Sequence, residues 1–129
     1  MKYIVSAMLV IVGVIHLIPL SGVLGSERLA GLYGLQFNDP NLEILMRHRA
    51  VLFGLLGVFC IAAAFKPSLQ SMALIGGFIS VVSFLFLAWT VGHYNPQVGR
   101  VVAADIVALA CLVAGGLAYV RIQLQVWTA

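Results

Sequence analysis

The sequence predicts an all-α integral membrane protein: one transmembrane domain over residues 1–129, folded as an up-down-up-down four-helix bundle. Three observations predict it. Hydrophobic residues make up 63% of the chain and charged residues 9%, with a mean hydropathy of +1.12. A soluble domain carries about 45–50% apolar and about 25% charged residues. The apolar residues also gather into four stretches, each close to the ~20 residues needed to cross roughly 30 Å of hydrocarbon. Finally, helix breakers and polar residues separate those stretches, and two of the three connections are short.

The first span covers about residues 3–20, entered by Lys2 and closed by Pro19. A cleavable signal peptide is the competing reading, with Lys2 as its charged end and Val23-Leu24-Gly25 resembling a cleavage site. The apolar core is long for that purpose, which favours a span. Ser21 to Asn38 is the longest connection. Within it Ser26 can cap a short helix, Glu27 suits the first turn, and Leu29, Leu32 and Tyr33 share one face ahead of Gly34. This pattern predicts either a short amphipathic helix at the membrane interface or an ordinary surface turn.

Asp39-Pro40 is a helix start, a capping carboxylate followed by proline at the first helical position. The second helix runs from about Pro40 to Phe65, with its span over 44–65. Lys66-Pro67-Ser68 breaks it and turns into the third span, 69–92, where Trp89 stands at an interface depth. His93-Tyr94-Asn95-Pro96 forms a short loop. Arg100 opens the fourth span, 101–120, and Arg121 closes it. Gly13, the Gly54/Gly57 pair, Gly76 with Ser80, Ala104 with Ala108, and Gly115-Gly116 offer small faces for close helix packing.

The charge pattern excludes some functions. The net charge of +3 comes from seven scattered Lys and Arg residues without a basic run, which argues against nucleic acid and for anchoring to anionic lipid. Cys60 and Cys111 lie alone in apolar stretches with no metal-ligand spacing, so they read as small apolar residues and no metal is expected. Lys2, Lys66 and Arg121 mark one side of the membrane. Once Arg47 and Arg49 are assigned to the bundle interior, the balance favours cytoplasmic termini in a bacterial inner membrane, by a thin margin.

Antiparallel threading would bring His16, Glu43, Arg47, His48, Arg49, His93, Tyr94, Arg100 and Asp105 to one end of the bundle. All three histidines and all four carboxylates of the chain then share one side. His16 and Asp105 each lie one turn inside a span, roughly 6 Å at about 1.5 Å per residue. A charge at that depth requires an inward orientation and a partner. Glu43 and Arg47, four apart with the acid first, form a helical ion pair. That leaves Arg49 to meet Asp105 across the bundle, either as a structural pair that fixes helix register or as part of a binding site.

His16 suits haem ligation, proton transfer, a ligand head group, or simple burial against a neighbour. His48 lies between two arginines, and His93 precedes the Tyr94 loop. Bis-histidine haem is conceivable, but nothing in the spacing demands it.

Leu45-Met46-Arg47-His48-Arg49 followed by Ala50-Val51-Leu52-Phe53-Gly54-Leu55-Leu56-Gly57 resembles the arginine-containing, glycine-rich second helix of the small bacterial DoxX-like four-helix membrane proteins. The resemblance covers the topology and the second helix. It implies partnership with a membrane oxidoreductase, near quinones in some relatives, and transfers no individual functional residue. Short bacterial membrane proteins of this kind are sometimes called phosphopantetheine adenylyltransferase. That activity needs a T-x-G-H or H-x-G-H motif in a glycine-rich phosphate loop after a strand. Thr90-Val91-Gly92-His93 matches the string only at the end of an apolar span, and no such loop after a strand is present.

Three functions remain. The chain binds an amphipathic lipid-soluble molecule, a quinone or a lipid, with its head near His16, Arg49, Asp105 and Tyr94. Alternatively it is a structural or accessory subunit, as a homodimer or within a larger membrane complex. The third reading is an enzyme or proton-coupled transporter using a histidine and Asp105, for which no nucleophile–base pair is visible. A cavity beside these residues favours the first reading, and a closed polar core favours the second.

Overall fold

The computed structural model describes residues 1–129 and is entirely helical, with no strand. Four of its helical segments are long and apolar enough to cross a membrane. The first begins as α1, Lys2–Leu17, and continues as a 3-10 helix, Ile18–Leu24. Pro19 does not end it as expected. Proline removes one N–H and disrupts the α ladder, and the tighter winding carries the segment to Gly25, whose φ of 140° stops it.

Helix α2, Ser26–Tyr33, is present where the sequence left a choice between helix and turn. Its cap differs from expectation. Gly25 occupies the capping position and Ser26 makes no capping bond. Gly34 closes α2 in the left-handed conformation, at φ 66°, a region open to glycine at no steric cost.

Helix α3, Pro40–Ala64, starts as the Asp39-Pro40 pair predicts, with the Asp39 carboxylate accepting from Asn41 N at 2.9 Å. A 3-10 turn, Pro67–Leu69, leads into α4, Gln70–Val91. The loop that follows is tight, and His93 itself takes a left-handed φ of 53°.

Helix α5, Pro96–Thr128, exceeds its expected bounds at both ends. It begins at Pro96 because the Asn95 side chain caps it, accepting from Val98 N at 2.8 Å. It passes through Arg121 because a charge ends a hydrophobic span without ending a helix. Its 33 residues reach roughly 50 Å at about 1.5 Å each, well beyond the ~30 Å of a hydrocarbon core.

Val5, Leu9 and Val12 of α1 are fully buried against Cys60 and Ala63 of α3, Ala73 and Val81 of α4, and Ala108 and Leu112 of α5. Helices α1 and α3 meet backbone to backbone. A Cβ on Gly57 would lie 2.7 Å from the Gly13 carbonyl oxygen, and a Cβ on Gly13 equally close to the Gly57 oxygen. The opposite faces are large, apolar and bare. Leu55, Ile79 and Leu117 are each about two-thirds exposed, a surface that lipid can solvate and water cannot. A second, smaller cluster of Leu29, Tyr33 and Phe37 packs α2 against Met46 of α3 and Val98 and Val101 of α5. Asn95 Nδ2 ties the two helices further by donating to the Tyr33 carbonyl at 2.7 Å. Thus α2 is folded onto the bundle end.

Candidate functional site

Beneath α2 lies a cavity of about 290 Å³, walled by the end of α1, the middle of α3 and the start of α5. Helical periodicity explains which residues of α5 reach it. Gln97, Arg100, Val101, Ala104 and Asp105 follow i, i+3, i+4, i+7 and i+8 spacing, a single stripe. The same rule sorts the adjacent polar residues of α3. Successive residues turn about 100° around the helix, so Arg49 lines the cavity while Arg47 and His48 do not.

Arg49 reaches the cavity inside a cage of rings. Its guanidinium carbon is 4.4 Å from the centroid of Phe53, 5.4 Å from Tyr33 and 5.9 Å from Phe84. Phe53 is four residues along α3, on the same face, and Phe84 comes from α4. Arg49 Nη1 donates to the Tyr33 hydroxyl at 2.6 Å. Stacking stabilises the cation without consuming N–H donors, so most of the guanidinium fork has no protein acceptor.

The expected Arg49–Asp105 ion pair does not form. The ion pair present joins Arg47 to Glu43, at 3.5 Å. Asp105 faces the same cavity as Arg49 and Arg100 and takes no hydrogen bond from either. Its carboxylate oxygens are open to the cavity and not sealed against carbon. The physical reason lies in Arg49, which the aromatic rings hold on the α3 side.

His16 has both ring nitrogens engaged. Nδ1 donates to the Val12 carbonyl at 2.9 Å, since a carbonyl can only accept. The Ser80 hydroxyl of α4 donates to Nε2 at 3.0 Å. The ring is 3% exposed and packs near Phe53, 5.7 Å between centroids. This is a buried histidine satisfied by its neighbours, forming one polar patch of the cavity wall. Ser80→Ala should therefore leave Nε2 unpaired and lower thermal stability in detergent by about 1 kcal/mol. No loss in a melting curve would show that the ring finds another partner.

The remaining candidates lie outside the cavity. Arg47 Nε donates to the Val23 carbonyl at 2.9 Å, fastening the 3-10 segment to α3. His48 is exposed, and His93 and Tyr94 are exposed in the α4–α5 loop. Of the three histidines, only His16 lines the cavity. No cluster of three or more histidine, cysteine or carboxylate side chains is placed to hold a metal ion.

Sequence reasoning placed Tyr33 on the short helix but not in the site. It missed Phe53, Phe84 and Gln97. Phe53 carried a usable signal in its spacing of four from Arg49, and Gln97 in its helical spacing from Arg100 and Asp105. No protein-family model matches the chain, and neither the curated proteins nor the solved structures provide a match.

Proposed function

We propose that this chain is an integral membrane protein of up-down-up-down topology that binds an amphipathic, lipid-soluble molecule in the cavity beneath α2. The observation that carries this reading is the unused polar capacity of Arg49 and Asp105 facing one space. A structural ion pair would have closed on itself, whereas these two groups are held apart with a cavity of about 290 Å³ between their walls. Leaving either group unsatisfied in an apolar bundle is costly, and a ligand head group offsets that cost.

The head group must offer acceptors to Arg49 and Arg100 and a donor to Asp105. A quinol meets both needs with its oxygens and hydroxyl hydrogens. So does a phospholipid head group bearing a hydroxyl or ammonium. Ile15, Ile18 and Phe53 provide the apolar wall for the first carbons of the tail. Partnership with a membrane oxidoreductase, as the DoxX-like resemblance of the second helix implies, fits the quinol form. Arg47 is exposed and not in the bundle interior as expected. Lys2, Lys66 and Arg121 on one side are therefore matched by Arg28, Arg47 and Arg100 on the other, and the charge balance no longer favours cytoplasmic termini.

Organic extraction of the detergent-purified protein, followed by mass spectrometry, should recover one such molecule per chain. Arg49→Met preserves the length and apolar stem of the side chain while removing its donors. It should lower recovery at least about ten-fold, as expected for loss of charge-assisted hydrogen bonds worth ~1.5–3 kcal/mol. Equal recovery from Arg49→Met and wild type would defeat the proposal.

A further inference from the structure

A second cavity, of about 470 Å³, opens at the other end of α1, among the first turns of α1 and α4, the last turn of α3 and the Tyr119–Gln123 stretch of α5. It shares no residue with the site beneath α2. Gln70 is the informative group. It lines this cavity and is only 6% exposed, yet its side-chain amide takes part in no hydrogen bond within the chain. Its polar atoms are open to the cavity. An amide with accessible surface and no partner in the chain is free to bond a molecule in the cavity, and its oxygen and N–H groups suit a ligand that both donates and accepts.

The surrounding groups set the sign. Lys2 lines the cavity and no carboxylate does. Helices α1 and α4 both begin here without a side-chain cap or an acid in the first turn, so the positive ends of two helix dipoles border the space. Tyr119 and Gln123 add neutral polar groups from α5, and Phe65 adds an apolar wall. The Ala64 carbonyl, the one negative helix end at the rim, is already occupied by the Ser6 hydroxyl at 2.6 Å.

We propose that this cavity is a second lipid site, which binds the phosphodiester of an anionic phospholipid whose head group carries a hydroxyl, as in phosphatidylglycerol. The phosphate oxygens accept from Lys2, from the Gln70 amide N–H and from Tyr119. The head-group hydroxyl donates to the Gln70 carbonyl oxygen. The location at the bundle end matches the depth of bilayer phosphates.

Native mass spectrometry in maltoside micelles tests this, with dioleoyl phosphatidylglycerol as the titrant and dioleoyl phosphatidylcholine and inorganic phosphate as comparators. At least one phosphatidylglycerol should stay bound to wild type and to Arg49→Met alike. Its affinity should fall about ten-fold in Gln70→Leu and in Lys2→Gln. Lys2 is exposed, so that variant keeps the test valid if Gln70→Leu misfolds. Unchanged affinity in Lys2→Gln and in any folded Gln70→Leu overturns the proposal. So does equal binding of phosphatidylcholine, or displacement by millimolar phosphate, which would identify a free anion as the ligand. Loss of the lipid in Arg49→Met alone would assign it to the cavity beneath α2 and overturn the second site.

Discussion

Gly57→Val is expected to lower detergent stability by about 3 kcal/mol or more, the largest loss of any single substitution considered for this bundle. The obstacle is backbone. A Cβ on Gly57 would lie 2.7 Å from the Gly13 carbonyl oxygen and 3.0 Å from Leu17 Cγ. No rotamer change relieves the first contact, so α1 and α3 must move apart. Gly57→Ala should cost ~2 kcal/mol. Its helix propensity gain of about 1 kcal/mol is already counted against a larger clash. Gly116→Ala is the control, because its nearest foreign atom is Phe78 Cε2 at 3.6 Å, an ordinary contact. That variant should be neutral or slightly stabilising. Once Gly13→Ala has separated the helices, Gly57→Ala should add less than its single cost. Melting midpoints read all of these, and a Gly57→Ala protein as stable as Gly116→Ala would reject the close crossing. The crossing matters for function as well, since α1 and α3 carry His16 and Arg49 on facing walls of one cavity.

Hydropathy and caps make the helical segments of the fold legible in the sequence. Asp39-Pro40 marked the start of α3, and Gly34 marked the end of α2. The same cap-plus-proline signature, Asn95-Pro96, starts α5 four residues before the charge of Arg100 opens the apolar span. A span boundary is set by charge, whereas a helix boundary is set by backbone hydrogen bonding. The two differ by several residues at both ends of α5.

The candidate site was less legible. Spacing along one helix identifies faces, so the convergence of His16, Arg49 and Asp105 on one cavity followed from threading. Contacts between helices depend on rotation and axial shift, which the sequence does not state. The depth of Asp105 and the Glu43–Arg47 spacing leave Arg49 as the expected partner of Asp105, while the structure spends the Arg49 stacking surface on Tyr33, Phe53 and Phe84. Ser80 was noted for its small size and proved to be the partner of His16. Gln70 was unremarkable in sequence, and its burial could be known only from the packing around it.

Asp105→Leu is expected to raise detergent stability by ~1 kcal/mol while abolishing ligand recovery from the cavity beneath α2. The two effects have a common cause. An intramembrane carboxylate without a protein partner is a net cost, about 2.5–3.5 kcal/mol at mid-bilayer and less one turn from the interface. Leucine removes that cost and adds apolar contact. If Asp105 served only to hold helices together, its loss would destabilise the bundle by ~3–5 kcal/mol, as breaking a buried ion pair does. Asp105→Asn, which retains an acceptor and loses the charge, should fall between these limits and weaken ligand recovery about ten-fold. Combining Asp105→Leu with Arg49→Met completes a cycle. Without a direct ion pair between them, the stability effects should add to within about 1 kcal/mol. A larger coupling would mean that the two side chains close on each other in the membrane, leaving no polar capacity for a head group. A stabilised Asp105→Leu protein that has lost its ligand would instead identify the carboxylate as a group retained at the expense of the fold for the sake of binding.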